Sequence, residues 1–202
     1  GKDSGKYAMH VGGQEIPAHD SRGGHNFAIG YVAEPTPGRH TQSGEGPLPK
    51  GALPEYDPSQ LKGRGVPHAQ GAGYTQAYNA AGVCMMVIGD GYGHIDDFVE
   101  ALSVISGWDY TNEEVIEAGH RIDTMRQAFN IREGLGAPWT LPDRMLGRPP
   151  KTVGPRAGAT INPPELTDEF YTIWGWDTST GKPSREVLLK LGMEEVAAEL
   201  YK

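Results

Sequence analysis

One short stretch holds the residues whose types and spacing point most directly to chemistry. In Asn79-Ala-Ala-Gly-Val-Cys84 the single cysteine of the 202-residue chain follows an amide and a glycine within about a turn and a half of helix. A thiolate is a soft metal ligand and an amide is a hydrogen-bonding group, so the pair is suited to hold a metal and an organic cofactor side by side. The glycine, lacking Cβ, would let such a group approach the backbone closely. A plainer reading competes with this one. Tyr74 to Ile88 carries Ala77, Ala80, Ala81 and Cys84 at helical steps, with Val87 and Ile88 one turn on and Gly89-Asp90-Gly91 as a stop. The stretch therefore predicts a core helix in which Cys84 packs as a small hydrophobe.

Histidines are the other candidates for proton chemistry. Met9-His10-Val11-Gly12-Gly13 places His10 at the end of a short extended segment that runs into a turn. His40 and His68 fall in a stretch without period and, lacking spaced partners, read as solvated loop residues. Glu117-Ala-Gly-His120 is half of a di-iron carboxylate pattern, but the second Glu-x-x-His is missing, which leaves it an ordinary surface pair. Gly89-Asp-Gly-Tyr-Gly-His94 resembles a phosphate cradle only superficially: no strand precedes it and no Lys-Ser/Thr pair follows, so it reads as a turn between helices.

The elements that must position these groups follow from periodicity and punctuation. The fold class predicted is mainly α, an irregular multi-helical domain whose first third is loop-dominated and rich in glycine and proline. Residues 1-73 form the loop-rich opening, with a short helix over Asn26 to Ala33, no period from Arg39 to Gly73, and apolar anchors at Leu53, Leu61 and Val66. Residues 74-202 form the helical part. Helices are expected over His94 to Gly107, with Ile95, Phe98, Val99, Leu102 and Val104 or Ile105 inward, and over Asn112 to Arg132, opened by the Thr111-Asn-Glu-Glu114 capping box. The second of these shows a stripe of Val115, Ala118, Ile122, Met125 and Phe129 beside Gly119 and Arg126. Shorter helices are expected at Leu141 to Leu146, at Pro163 to about Trp174 with Leu166 and Phe170 buried, at Arg185 to Leu191 behind Ser184, and at Glu194 to Leu200.

Composition narrows the function. A net charge of -8 and the lack of a Lys/Arg cluster argue against nucleic acid as partner. One cysteine permits no intrachain disulfide and fits a reducing compartment. No apolar run reaches the roughly 18 residues of a membrane span, and no leader pattern opens the chain, so a cytoplasmic protein is expected. The polar start Gly1-Lys-Asp-Ser-Gly-Lys6, without an initiator methionine, suggests a domain cut from something longer.

Four blocks together resemble the C-terminal part of the tungsten-containing aldehyde:ferredoxin oxidoreductases: Ala8-Met-His-Val-Gly-Gly-Gln-Glu-Ile-Pro-Ala-His-Asp-Ser-Arg-Gly23; Asn79-Ala-Ala-Gly-Val-Cys84; Arg126-Gln-Ala-Phe-Asn-Ile-Arg-Glu-Gly134 leading to Leu141-Pro-Asp-Arg144; and Phe170-Tyr-Thr-Ile-Trp-Gly-Trp-Asp177 with Pro183-Ser-Arg-Glu-Val-Leu-Leu-Lys-Leu-Gly192. The resemblance implies a parent enzyme that oxidises an aldehyde to a carboxylic acid with ferredoxin as acceptor. Its cofactors would be a tungstopterin, that is a bis-molybdopterin holding W or Mo, and a [4Fe-4S] cluster. Carried over residue by residue, Cys84 becomes the last of four cluster ligands, and Asn79, Gly82 and Val83 stand in the cofactor-binding Asp-x-x-Gly-Leu-Cys motif, with an amide in place of the acid and valine in place of leucine. His10 falls on the histidine beside the metal, where it would hydrogen-bond substrate and shuttle a proton. The family often has a lysine where this chain has Gly12. The other three cysteines and the pterin-carrying base of the parent precede the matched region, so the chain alone is expected to be without cofactor and inactive. The Gly/Pro-rich loop is expected to line part of the substrate channel. Two alternatives stay open: another redox reaction in the same family, such as aromatic-ring reduction, and a stand-alone helical binding or scaffold module. Upstream sequence with Cys-x-x-Cys-x-x-x-Cys would separate them.

Overall fold

The computed structural model describes residues 1–23, 25–42, 44, 48, 50–55, 62–91, 93–136 and 139–202. Leu61 and Tyr92, two residues singled out above, lie outside them. The described residues are mainly helical, as expected, with one two-stranded hairpin, β1 (His10–Val11) and β2 (Gln14–Glu15). The helices are α1 (His25–Val32), α2 (Gly65–Ala80), α3 (Met85–Gly91), α4 (Ile95–Ser106), α5 (Asn112–Arg132), α6 (Asp143–Leu146), α7 (Pro163–Trp174), α8 (Arg185–Lys190) and α9 (Glu194–Leu200).

Where local signals are strong, element bounds follow them. Thr111 accepts from the Glu114 amide at 3.2 Å while the Glu114 carboxylate accepts from the Thr111 amide at 2.9 Å, a complete capping box at the start of α5. Ser184 accepts from the Val187 amide at 3.2 Å and opens α8. Gly107 and Gly175 close α4 and α7 in the left-handed conformation.

The largest departure is α2. Gly65 to Gly73, expected as loop, is the first half of a 16-residue helix. Its composition is poor for a helix in isolation, with three glycines and Pro67, so packing must supply what propensity does not. Pro67 sits in the first turn, where its missing N–H costs nothing. The small residues let α5 come close. A Cβ at Gly119 would stand 1.8 Å from the Gly73 carbonyl oxygen, and one at Gly73 would stand 2.9 Å from that of Ile116. α2 is buried from Pro67 to Tyr78 apart from a half-buried Gln70.

Two apolar clusters meet along α2. Ala69 and Ala72 join a cluster with Val11, Ile29, Tyr31, Leu166, Phe170, Tyr171, Trp174, Trp176, Leu188 and Leu191, drawn from the hairpin, α1, α7 and α8. Tyr74, Ala77 and Tyr78 join Ile88, Ile95, Phe98, Val99 and Val115 from α3, α4 and the start of α5. Two predicted inward faces are corrected. Val104 and Ile105 of α4 are 75% and 87% exposed, because they lie in the last turn of α4, beyond Ile95, Phe98, Val99 and Leu102, which carry its packing. On α5, Met125 and Phe129 are about half exposed, and the buried face is Val115, Gly119, Asp123, Thr124, Gln127 and Ala128. The helix turns its polar residues inward.

Candidate functional site

Asn79 and Cys84 flank a helix end. The Val83 amide donates to the Tyr78 carbonyl at 3.0 Å and the Gly82 amide to the Asn79 carbonyl at 3.1 Å, with Gly82 at φ 74°. These are the two bonds of a Schellman motif, so Gly82 is the left-handed cap of α2. Nothing in the described chain lies within 4 Å of a Cβ built there, so within the chain it is the backbone conformation that requires the glycine. It also ends the predicted continuous helix. The Cys84 carbonyl accepts from the Val87 and Ile88 amides at 2.9 and 3.2 Å, which makes Cys84 the cap of α3 instead of a residue inside a core helix. Cys84 is exposed, as are Asn79 and Gly82, while Val83 is half-buried. Met86 and Val87, the next turn, are 60% and 51% exposed, whereas Ile88 is fully buried.

His10 occupies the other candidate position. β1 and β2 pair antiparallel with His10 opposite Glu15 and Val11 opposite Gln14. Side chains alternate, so Val11 is fully buried and His10 exposed. Gly12 and Gly13, at φ 56° and 81°, make the two-residue turn. Gly12 is confined twice over: a Cβ there would lie 3.0 Å from both Pro37 Cγ and Trp139 Cε3. The lysine common at this place in the family would need the turn and its packing to shift. An open cleft of about 580 Å³ along the hairpin is lined by Tyr7, Met9, His10, Glu15 and Ile16. A second, of about 400 Å³, continues from Glu15 and Ile16 to Arg39 and His40.

Two histidines expected as solvated are otherwise. His40 packs against His19 with ring centroids 4.5 Å apart and ring planes tilted by 60°, and burial, then the neighbouring His19, push its pKa down. His68 is fully buried on α2. Its Nε2 lies 2.8 Å from Glu34 Oε1, and its ring stands edge-on to Phe170 at 5.1 Å. His120 is not a free surface residue either, since its Nε2 lies 3.0 Å from the Trp174 carbonyl oxygen and burial pushes its pKa down.

Sequence reading missed the polar cluster around His68. Glu34 also accepts from the Gly44 amide at 3.0 Å. Asp123, fully buried on α5, has its carboxyl pushed well above the usual range, first by burial and then by the charge of Glu34; Arg126 and His68 pull the other way. Arg126 Nη1 lies 3.3 Å from Asp123 Oδ1, too long a contact with too exposed a guanidinium to outweigh the loss of water. Burial and the neighbouring Glu34 charge therefore favour the neutral form of Asp123. Arg126 reaches onward to Gln76 Oε1 at 2.9 Å, Gln42 Oε1 at 2.5 Å and Thr36 Oγ1. One signal for this cluster stood in the sequence: Val115, Gly119, Asp123 and Gln127 recur every four residues, a face that mixes small and polar side chains.

The cofactors implied by the resemblance can be set against this surface. Among the described residues no three His, Cys, Asp or Glu side chains converge as a metal site. What the chain offers is one exposed thiol on a helix cap, beside an exposed amide and apolar side chains. That fits a single ligand presented to a group held mainly by other residues.

The comparisons agree in one direction. The family profile described as aldehyde ferredoxin oxidoreductase, domains 2 and 3, matches residues 1–193. The tungsten-containing aldehyde ferredoxin oxidoreductase of Pyrococcus abyssi is 32% identical over 194 residues, 94% of this chain and 31% of that protein. That of Pyrococcus furiosus is 31% identical over 192 residues, 93% and 31% respectively. The chain thus spans about a third of the length of these relatives, and it belongs to the aldehyde ferredoxin oxidoreductase family, matching its domains 2 and 3.

Proposed function

We propose that residues 1-202 are the C-terminal, cofactor-facing domain of a tungsten- or molybdenum-pterin oxidoreductase. Its parent converts an aldehyde and water into a carboxylic acid, two protons and two electrons, the electrons passing to ferredoxin. The observation that carries this reading is the exposure of Cys84. An apolar run around a lone cysteine ordinarily buries it, yet here the thiol, Asn79 and Met86 face outward together.

In this reading Cys84 supplies the last thiolate of a [4Fe-4S] cluster, and Asn79, with Gly82 and Val83 setting the turn, contacts the pterin through its amide. Bound tungsten and cluster would supply the two-electron oxidation and the one-electron steps toward ferredoxin. The residues of this chain bind, orient and move protons. His10, on a hairpin whose turn is fixed by Pro37 and Trp139, holds an imidazole over the cleft, where it takes a proton as water adds to the aldehyde carbon and releases it afterwards. The cleft from Met9 to His40 forms part of the channel that admits the aldehyde.

His10→Ala in the assembled parent tests this directly. Turnover should fall by about 10² to 10⁴ while tungsten and iron contents stay at wild-type values. Unchanged turnover would remove His10 from the chemistry, and loss of tungsten would make it a structural or ligating residue.

A further inference from the structure

We propose that the buried Glu34, His68 and Asp123 cluster, with Arg126, is the positioning unit for His10: it anchors the segment 34–39, and that segment carries the hairpin. This rests on the reading of His10 as the proton-handling residue, and it adds four residues that never touch substrate.

The connections form a continuous series. Glu34 is tied to His68 of α2 at 2.8 Å and to the Gly44 amide at 3.0 Å. The Pro35 carbonyl accepts from Asn130 Nδ2 of α5 at 2.7 Å, and Thr36 Oγ1 accepts from Arg126. Pro37 packs with Trp139 against Gly12, and Gly38 lies under Ile16, while its amide donates to the Tyr31 carbonyl at 3.2 Å. Arg39 Nε reaches Gln14 Oε1 at 3.4 Å. One side of the segment is thus held by α1, α2 and α5, and the other bears on both ends of the hairpin turn. His10 itself is exposed and makes none of these contacts, so the accuracy of its placement comes from beneath.

The neutral form favoured at buried Asp123 makes this anchoring depend on pH. The groups facing Asp123 are Glu34 from the segment after α1, His68 from α2 and Arg126 from its own helix; Tyr78 and Tyr171 also sense the charge of Glu34. Because the folded pKa of Asp123 is raised, its favourable contribution is complete at low pH and is lost as pH rises through the folded value. Two adjacent buried carboxylates then repel, and the 34–39 segment loosens.

The test is amide hydrogen exchange of the hairpin, expressed as protection factors, in the parent enzyme. α8 and α9, which lie outside the cluster, serve as the internal reference. Thr36→Val keeps the shape of the side chain but removes the link to Arg126, and should lower hairpin protection at least about fivefold with the reference unchanged. Asp123→Asn keeps a neutral hydrogen-bonding group, so it should preserve protection and abolish its decline with rising pH. Glu34→Gln, which takes the charge from the His68 pair, should lower protection and kcat together with little change in KM. If Thr36→Val and Glu34→Gln leave the hairpin as protected as wild type, or lower protection equally in α8 and α9, the cluster is only structural and the proposal fails. A loosened hairpin with unchanged turnover in the same variants would uphold the anchoring and instead sink the role of His10.

Discussion

The interface between α2 and α5 and the outer edge formed by α3 and α4 treat polarity in opposite ways. Between α2 and α5 the chain buries His68, Gln76, Asp123, Thr124 and Gln127. On α3 and α4 it exposes Met86 and Val87, just after Cys84, and Val104, Ile105 and Trp108 at and beyond the end of α4. A chain that minimised its own free energy in water would do neither without compensation. The interior is compensated in large part by hydrogen bonds already in place, His68 with Glu34, Gln76 with Arg126, Gln127 with the Gly181 carbonyl and Thr124 with Trp176, while Asp123 Oδ2 and Gln127 Oε1 have none. The edge is not; the relatives are about three times as long, and under the function proposed above it is the remainder of the parent, with its cofactors, that would cover it.

The comparison can be broken most forcefully from inside. Glu34→Ala leaves His68 buried without its carboxylate, and should cost about 3 to 5 kcal/mol in denaturant unfolding of this chain. A loss below about 1 kcal/mol would mean that the interior cluster is wet or dispensable. Next in size is Gly119→Ala. The new methyl meets the Gly73 carbonyl oxygen at 1.8 Å, so α2 and α5 must move apart, at about 1 to 3 kcal/mol by the same measurement. At the edge the expected change is smallest: Ile105→Ser, at a site 87% exposed, should stay within about 0.5 kcal/mol. A large destabilisation there would show that the edge is a core of its own.

The same contrast explains what was legible in the sequence. α5 and α7 were legible because their ends are written locally, in Thr111 with Glu114 and in Pro163 with Gly175. α2 was not, because Gly65 to Gly73 is helical only when α5 and α7 pack on it, and no local pattern records a neighbour. The inward faces of α4 and α5 were misassigned for a related reason. Apolar spacing marks a face that will be covered, and Val104, Ile105, Met125 and Phe129 stay uncovered within this chain. Cys84 combined both difficulties, since an apolar run suggested a core helix while Gly82, the glycine two residues earlier, already ended it. The positions of His10, Asn79 and Cys84 came from the four family blocks, and the buried acid pair came from neither those blocks nor the periodicity.

The most direct test of this account is Cys84→Ser, measured twice. In this chain alone, where the side chain is exposed, stability should stay within about 0.5 kcal/mol of wild type. In the assembled parent, a hydroxyl replaces the soft thiolate, so iron content should fall or the reduced-cluster signal in electron paramagnetic resonance should shift. A parent that keeps its full iron and an unaltered signal would contradict the claim that Cys84 faces outward to hold a group beyond this chain.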